Sequence, residues 1–308
     1  MKVVTLGMHV LDVLVRPVEG IPEGQGTHLV EDIRMTAAGT AGGTALTLAK
    51  LGAEVRSAGA IGDDATGDML VQLLAKAGID ASGLVRRADA PTSASVLPIR
   101  PNGDRPSLHL MGANTTYGVQ DLPEGLLDWA DHLHLGAPEL IGGEAAAAIL
   151  AKARERGCST SADLVAPGVL LSPEAVEGVL PLLDHLLPND DQVQGLSGES
   201  DLVAGAQRLV AAGATVVAAT CGADGAVVVT SGGVTRVPAF VIDVVDTTGC
   251  GDAFSAGYLR GIALGRSPVE SAVLGSAAAA LVAQGLGSDH GDFDLAAADA
   301  FAASTPTR

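Results

Sequence analysis

The chain reads as an α/β fold: a mostly parallel central sheet with helices on both faces, plus a small β-sheet lid. Short apolar runs of strand length alternate with longer runs of helical period, the pattern of a parallel sheet covered by helices. Apolar residues make up 47% of the 308 and aromatics only 2%, so a sizeable core is built from Ala, Val and Leu. Two segments, 11–35 and 91–111, break the alternation and suit a sheet with one wet face.

The elements follow in order. KVVTLG (2–7) is a buried strand, TALTLAKLG (44–52) a helix ending in glycine, and EVRSAGAIG (54–62) a second strand. In ATGDMLVQLLAKAGI (65–79), Met69, Leu70, Leu73, Leu74 and Ala77 share one helical face, closed by Gly78. ADHLHLG (130–136), CSTSADL (158–164), DHLLPN (184–189), ATVVAAT (214–220) and GAVVVT (225–230) are further short strands. Helical stretches such as GEAAAAILAKARERG lie between most of them, and VPAFVIDVV (237–245) reads as a strand leading into DTTGCGDAF (246–254). LDVLVRPVEG and THLVEDIRM in the first interrupting segment, and TSASVLPIRP and RPSLHLM in the second, read as lid strands. Asn102-Gly103 is a hairpin signal between the last two. The expectation is one domain over 1–308, with a lid assembled from 11–35 and 91–111.

The net charge of −18 argues against general nucleic-acid binding, which needs a basic stripe to neutralise phosphates. An anionic substrate would then need local positive potential, which backbone N–H groups can supply without lysine. Cys158, Cys221 and Cys250 are far apart and lack metal-site spacing, which suits a reduced cytoplasm. The N-terminal apolar run is broken by His9 and Asp12 and reads as a strand rather than a signal peptide. No apolar run reaches the roughly 18 residues of a membrane span.

The chemistry concentrates in DTTGCGD. Gly249 and Gly251 let backbone approach a ligand closely. If a helix starts near Asp252, the N–H groups of residues 249–252 point at one spot that attracts anions. A carboxylate at that spot is useful where a proton must be removed. A hydroxyl attacking a phosphoryl group meets both needs: amides stabilise the moving charge and the carboxylate takes the proton. An aspartate capping a helix after a glycine turn is the plain alternative.

VPAFVIDVVDTTGCGDAFSAGYLRGI resembles the C-terminal signature of the ribokinase-like (PfkB) carbohydrate kinases. GTAGGTALTLAKLGAEVRSAGAIGDDATGDML resembles their N-terminal signature. LLPNDDQVQGLSG falls where they carry N-x-x-E, and TCGADGAVVV is similar to their T-x-G-x-x-G strand and turn. The match runs in order over nearly the whole chain. It implies an ATP-dependent kinase with Asp252 as catalytic base and Gly249, Cys250 and Gly251 as anion hole. It places the nucleotide against Asn189, Thr220, Gly222, Gly225 and Ser276. It places the acceptor against Asp12, Gly42 and Gly43, with His109 and Asn114 as further candidates. Asp246 and Thr248 match positions that help hold a monovalent cation such as K⁺ in many relatives; Asp246 could equally anchor its own turn. Magnesium would accompany ATP, with Gln192 on its side.

The chain also departs from the family pattern. Gln192 stands at the glutamate of N-x-x-E, Gly43 at an asparagine that often binds sugar, and Ala137 at a sugar-contacting glutamate. Ribose is therefore not a safe inference, and a small sugar or polyol is the expected acceptor. A nucleoside is the alternative, although no aromatic lies in 11–35 or 91–111 to stack on a base. A sugar-binding regulatory protein of weak activity is the alternative of another class. A nicotinamide oxidoreductase is disfavoured because no G-x-G-x-x-G follows the first strand. A homodimer through the lid is a further expectation.

Overall fold

The computed structural model describes residues 1–101, 104–165 and 176–308. Its strands, in chain order, are β1 (Lys2–Gly7), β2 (Val10–Arg16), β3 (Asp32–Ala38), β4 (Glu54–Gly62), β5 (Asp80–Arg87), β6 (Ala94–Pro98) and β7 (Leu108–Leu110). They continue as β8 (His132–Gly136), β9 (Ser159–Asp163), β10 (His185–Leu186), β11 (Val216–Thr220), β12 (Ala226–Thr230) and β13 (Gly233–Val237). Nine of them form one sheet in the order β13-β12-β11-β10-β9-β8-β1-β4-β5. All its pairings are parallel except β11–β12 and β12–β13.

Both faces of this sheet are apolar, as a parallel sheet under two helical layers requires. Val4, Leu133 and Val217 join a core with the helix Gly143–Glu155, while their neighbours Val3, Val216 and Val228 join a core with the helices Thr40–Lys50 and Cys250–Ala263. The helix Pro268–Ala283 packs along Cys250–Ala263, and Gly257 makes the approach close: a Cβ there would lie 2.7 Å from the Leu274 carbonyl.

The remaining strands form a separate four-stranded sheet, β3-β2-β6-β7. Pairing sets its two faces. Asp12 lies opposite Thr36 and beside Ser95, which faces His109. Val13 lies opposite Met35 and beside Val96, which faces Leu108. Asp12, Thr36 and Ser95 are buried, whereas Ile33, Met35, Val96, Leu108 and Leu110 are exposed. The expected wet face is therefore an apolar one, and polar groups line much of the covered face. The Asn102-Gly103 turn lies outside the described residues.

Two strands had no clear signal. β5 is an edge strand interrupted by Ser82 and Gly83, and β13 closes a tight hairpin after β12. The strand expected over 237–245 ends at Val237. Pro238 cannot donate to a ladder, and Ala239, Phe240, Ile242 and Val244 instead wall a cavity. No helix among the described residues is long and apolar enough to cross a membrane.

Candidate active site

The helix Cys250–Ala263 begins where Gly249 adopts φ 76, a left-handed conformation natural to glycine. A Cβ there would also strike Ser288. The turn aims the first amides of the helix outward, where no residue four back can accept from them. Asp252 stands in this first turn. Part of the residue is exposed, but its carboxyl is enclosed by protein, and burial raises its pKa well above the usual carboxylate value. The charges of Asp163 and Asp12 push the same way, and Arg105 pulls back.

Gly43 explains how that carboxyl fits. A Cβ at position 43 would run into the Asp252 carboxyl group. The residue that departs from the family pattern is thus the one that makes room for the aspartate. Thr44 Oγ1 donates to the Asp252 carbonyl at 3.3 Å and ties the two helices together.

Asp12 reaches the same region from β2. Burial pushes its carboxyl up to about 6, with Ser95 and Arg105 opposing the shift. Ser95 Oγ and His109 Nδ1 are 3.0 Å apart, so His109 belongs to the same polar face although exposed. Asn114 does something else. Its Oδ1 accepts from the His9 amide at 3.1 Å and its Nδ2 donates to the His9 carbonyl at 3.0 Å, bracing the β1–β2 corner. Both polar atoms of Asn114 are engaged in this bracing. Gly42 lies against His9: a Cβ there would meet its ring at 3.4 Å.

On the nucleotide side, a cavity of about 310 Å³ is lined by Thr220, Gly222, Gly225, Cys250, Gly251 and Ser276, among others. Residues from three separate stretches of the chain thus converge. Burial pushes the Cys250 thiol up to about 12, so it lines the cavity as a small apolar group. Asn189 and Thr220 form a bridge at the carboxyl ends of β10 and β11, where open α/β sheets place ligands.

Gln192 does not face this cavity freely. Its Oε1 accepts from the Asn189 amide at 2.8 Å, its Nε2 donates to the Leu164 carbonyl at 2.9 Å, and Asn189 Oδ1 accepts from the Gln192 amide at 2.8 Å. This is a reciprocal helix cap. Both polar atoms of Gln192 thus make bonds that hold the start of this helix. Asp246 is similarly engaged: Oδ1 accepts from the Thr248 amide and hydroxyl, and Oδ2 from the Gly287 amide at 2.9 Å. This geometry fits the anchoring alternative, in which Asp246 holds its own turn. Among the described residues, no group of three or more His, Cys, Asp or Glu side chains is placed to hold a metal ion.

Two residues escaped the sequence reading. Arg105 donates from Nε to Thr247 Oγ1 at 3.1 Å and stands 3.7 Å from Asp246. It brings a guanidinium to the anion-attracting helix start. Glu139, two positions after Ala137, is buried, with Oε1 accepting from the Val165 amide at 2.7 Å and burial pushing its carboxyl up to about 7. Neither lay in a motif; only the fold places them.

The pattern of the pfkB family carbohydrate kinases matches residues 2–292. The chain belongs to the pfkB family of carbohydrate kinases. Its kinship with individual members is moderate. It is 31% identical over 258 residues to an ATP-dependent ribose-1-phosphate kinase of Halopiger xanaduensis, covering 84% of this chain and 83% of that one. It is 29% identical over 250 residues to an aminoimidazole riboside kinase of Salmonella typhimurium, covering 79% and 77%. A fructokinase of Xylella fastidiosa, solved with bound ATP, superposes with a TM-score of 0.83 at 21% identity, covering 97% of both chains. This pfkB kinase thus has the ribokinase-like α/β fold, and an enzyme that phosphorylates a carbohydrate hydroxyl is what its family membership states.

Proposed function

We propose that this kinase transfers the γ-phosphoryl group of ATP to a hydroxyl of a small sugar or polyol, with Asp252 as general base. One observation carries the reading: a carboxyl enclosed in the first turn of a helix whose Cys250 and Gly251 line an apolar cavity, with a second carboxylate, Asp12, acting on it from the small sheet. The acceptor hydroxyl gives its proton to Asp252 while the oxygen attacks phosphorus. The amides of Gly249, Cys250 and Gly251 and the guanidinium of Arg105 stabilise charge on the transferred group. Asp12, with Ser95 and His109 behind it, accepts acceptor hydroxyls, and Gly42 and Gly43 bring backbone close. Asn189, Thr220, Gly222, Gly225 and Ser276 hold the nucleotide. Magnesium arrives on the ATP phosphates, since among the described residues no group of three or more His, Cys, Asp or Glu is placed to hold a metal ion, and a monovalent cation such as K⁺ beside Asp246 and Thr248 would steady the turn before the helix.

The chain acts as one domain in the reducing cytoplasm. The four-stranded sheet is its lid, closing over the acceptor to exclude water that would compete as acceptor. The exposed apolar face of that lid is the surface for a second copy. A riboside acceptor is the second reading, and the Salmonella relative favours it.

The test is acceptor-dependent ADP release over sugars, sugar phosphates and nucleosides, repeated with Asp252→Asn. The variant is expected to keep ATP binding and lose turnover by roughly 10²–10⁴-fold. Near-normal turnover by Asp252→Asn would sink the assignment of the base.

A further inference from the structure

Three consecutive backbone carbonyls, those of Asp289, His290 and Gly291, converge on the ammonium of Lys50. Nζ donates to them at 2.8, 2.7 and 2.7 Å, which spends all three of its hydrogens. The oxygen ends of carbonyls gathered at one spot repel one another, and a cation there turns the repulsion into binding. Gly287 at φ 85 and Gly291 at φ 82 let the backbone make this turn. A lysine at the end of a helix ordinarily serves that helix's own last carbonyls. Lys50 ends the helix Thr40–Lys50, yet the middle one of its three acceptors lies 240 positions further on.

The segment that Lys50 holds is packed against the turn before Asp252. Ser288 is buried against Gly249: a Cβ at 249 would lie 2.5 Å from Ser288 Oγ and 2.7 Å from Ser288 Cα. Among the described residues the Ser288 hydroxyl has no hydrogen-bond partner, so the residue acts by contact. Gly249 has no side chain to lock its φ of 76, and this contact supplies the lock. The Gly287 amide donates to Asp246 Oδ2 at 2.9 Å, while Asp246 Oδ1 accepts from the amide and hydroxyl of Thr248. The turn 246–249 therefore meets the segment at both ends. On its other side the segment meets the small sheet: a Cβ at Gly287 would touch Thr36 and Leu14, and Arg34 stands 3.0 Å from Asp289. That ion pair is about a third exposed on both sides, so solvent weakens it. Lys50 is half-buried and its three charge-assisted bonds are the stronger hold.

We propose that Lys50 is a positioning residue for phosphoryl transfer: it fixes the segment 287–291, and that segment fixes the aim of the first amides of the Asp252 helix. The inference rests on the phosphoryl site proposed at that helix start. Lys50 touches neither nucleotide nor acceptor and acts through Ser288 and Gly287. With the ammonium gone, the three carbonyls repel and turn apart, Ser288 leaves Gly249, and Asp246 loses the Gly287 amide. The amides then point less well at the group in flight. They matter most where charge develops on that group, so loosening them costs turnover more than it costs ground-state binding. The helix that ends at Lys50 also carries Gly43, which makes room for the Asp252 carboxyl. One helix thus keeps the base and the amides in a common frame.

Lys50→Met keeps most of the stem and removes the donors. It is expected to lower kcat by roughly ten- to a hundredfold, with both KM values within about twofold. Binding of MgADP with aluminium fluoride, which mimics the transferred group in flight, should weaken by a similar factor, while a non-hydrolysable ATP analogue binds within about twofold of the wild type. Lys50→Arg still offers donors, in a planar fork rather than a tripod, and should recover part of both losses. Melting temperatures are measured throughout. A Lys50→Met enzyme that melts lower but keeps its kcat and its ADP–aluminium fluoride affinity would overturn the role, as would a loss confined to the KM values. If Lys50→Met does not fold, Ser288→Gly removes the side chain behind Gly249, and wild-type turnover by that variant would overturn the role as well. Asp252→Asn separates the two ideas. If it is inactive while Lys50→Met is normal, the positioning role alone fails; if it is active, the base assignment fails whatever Lys50 does.

Discussion

Asp12 is held in the fold at a cost. Its carboxyl rises from 3.8 to about 6 because it is buried on the inner face of the small sheet. Such a shift corresponds to about 3 kcal/mol of destabilisation at neutral pH as an upper bound. The folded form binds the proton more tightly than the unfolded chain, so this group's stabilising contribution is present below pH 4 and is lost as pH rises through about 6. Asp12→Asn should therefore raise the melting temperature at pH 7, with the gain shrinking towards pH 4, while raising acceptor KM and lowering kcat. Thermal scans and steady-state kinetics over that range check it; a variant that melts lower and binds the acceptor normally would contradict both halves. In the wild type, acceptor KM should climb as pH falls through about 6, and kcat should fall along an acid limb above the ordinary carboxylate range, because the base works only when ionised. Gly43 gives a second case. Gly43→Ala gains up to about 1 kcal/mol of helix propensity, yet its methyl meets the Asp252 carboxyl. Turnover should drop with little loss of melting temperature. That Asp252 stands at a helix start was readable from its glycine turn; the room made by Gly43 was not, because residues 209 positions apart meet only in the fold.

At the scale of elements, the helix Asp190–Ser197 shows how a motif residue can serve structure. Gln192 caps the helix and ties it to Leu164 through a side-chain amide that a carboxylate cannot replace. Gln192→Glu would set a carboxylate against the Leu164 carbonyl, losing a donor and leaving a buried acceptor unpaired, a cost of about 1–3 kcal/mol. The free magnesium needed for half-maximal rate should stay unchanged and the melting temperature should fall. A lowered magnesium requirement would place position 192 at the metal after all. The strands of the large sheet were legible wherever two apolar faces produced a continuous apolar run, as in β1, β4 and β11. β5 was hidden because an edge strand needs less burial and tolerates Ser82 and Gly83. The run 237–245 misled for the converse reason: an apolar cavity wall has a strand's composition without its ladder, and Pro238 forbids the ladder. Arg105 lay beside the hairpin signal Asn102-Gly103 in the sequence, where charge normally marks solvent, so nothing local announced its reach to Thr247.

Over the whole molecule, the small sheet is turned opposite to a surface sheet of a monomer. Its covered face carries Asp12, Thr36 and Ser95, and its open face carries Ile33, Met35, Val96, Leu108 and Leu110. Cross-strand pairing sets Val96 against Leu108 and places Met35 across β2 on the same side, so these residues form one patch rather than scattered exposures. Contiguous apolar patches of this kind mark interaction sites in soluble proteins. A chain with net charge −18 repels copies of itself at long range, so association must be driven by apolar burial and should strengthen with salt, which shortens that repulsion. β3 and β7 are also the edges of the sheet, where ladder groups are open to pairing. A symmetric dimer that covers this face would steady the small sheet that carries Asp12 and, if that sheet is the proposed lid, couple oligomeric state to acceptor affinity. Val96→Glu with Leu108→Glu puts two carboxylates into the patch without touching the inner face. Light scattering should then give twice the chain mass for the wild type at micromolar concentration and the chain mass for the variant. The variant should keep its ATP affinity and show a raised acceptor KM. A wild-type enzyme that stays monomeric at high salt, or a monomeric variant with unchanged acceptor kinetics, would remove the second copy from the working lid.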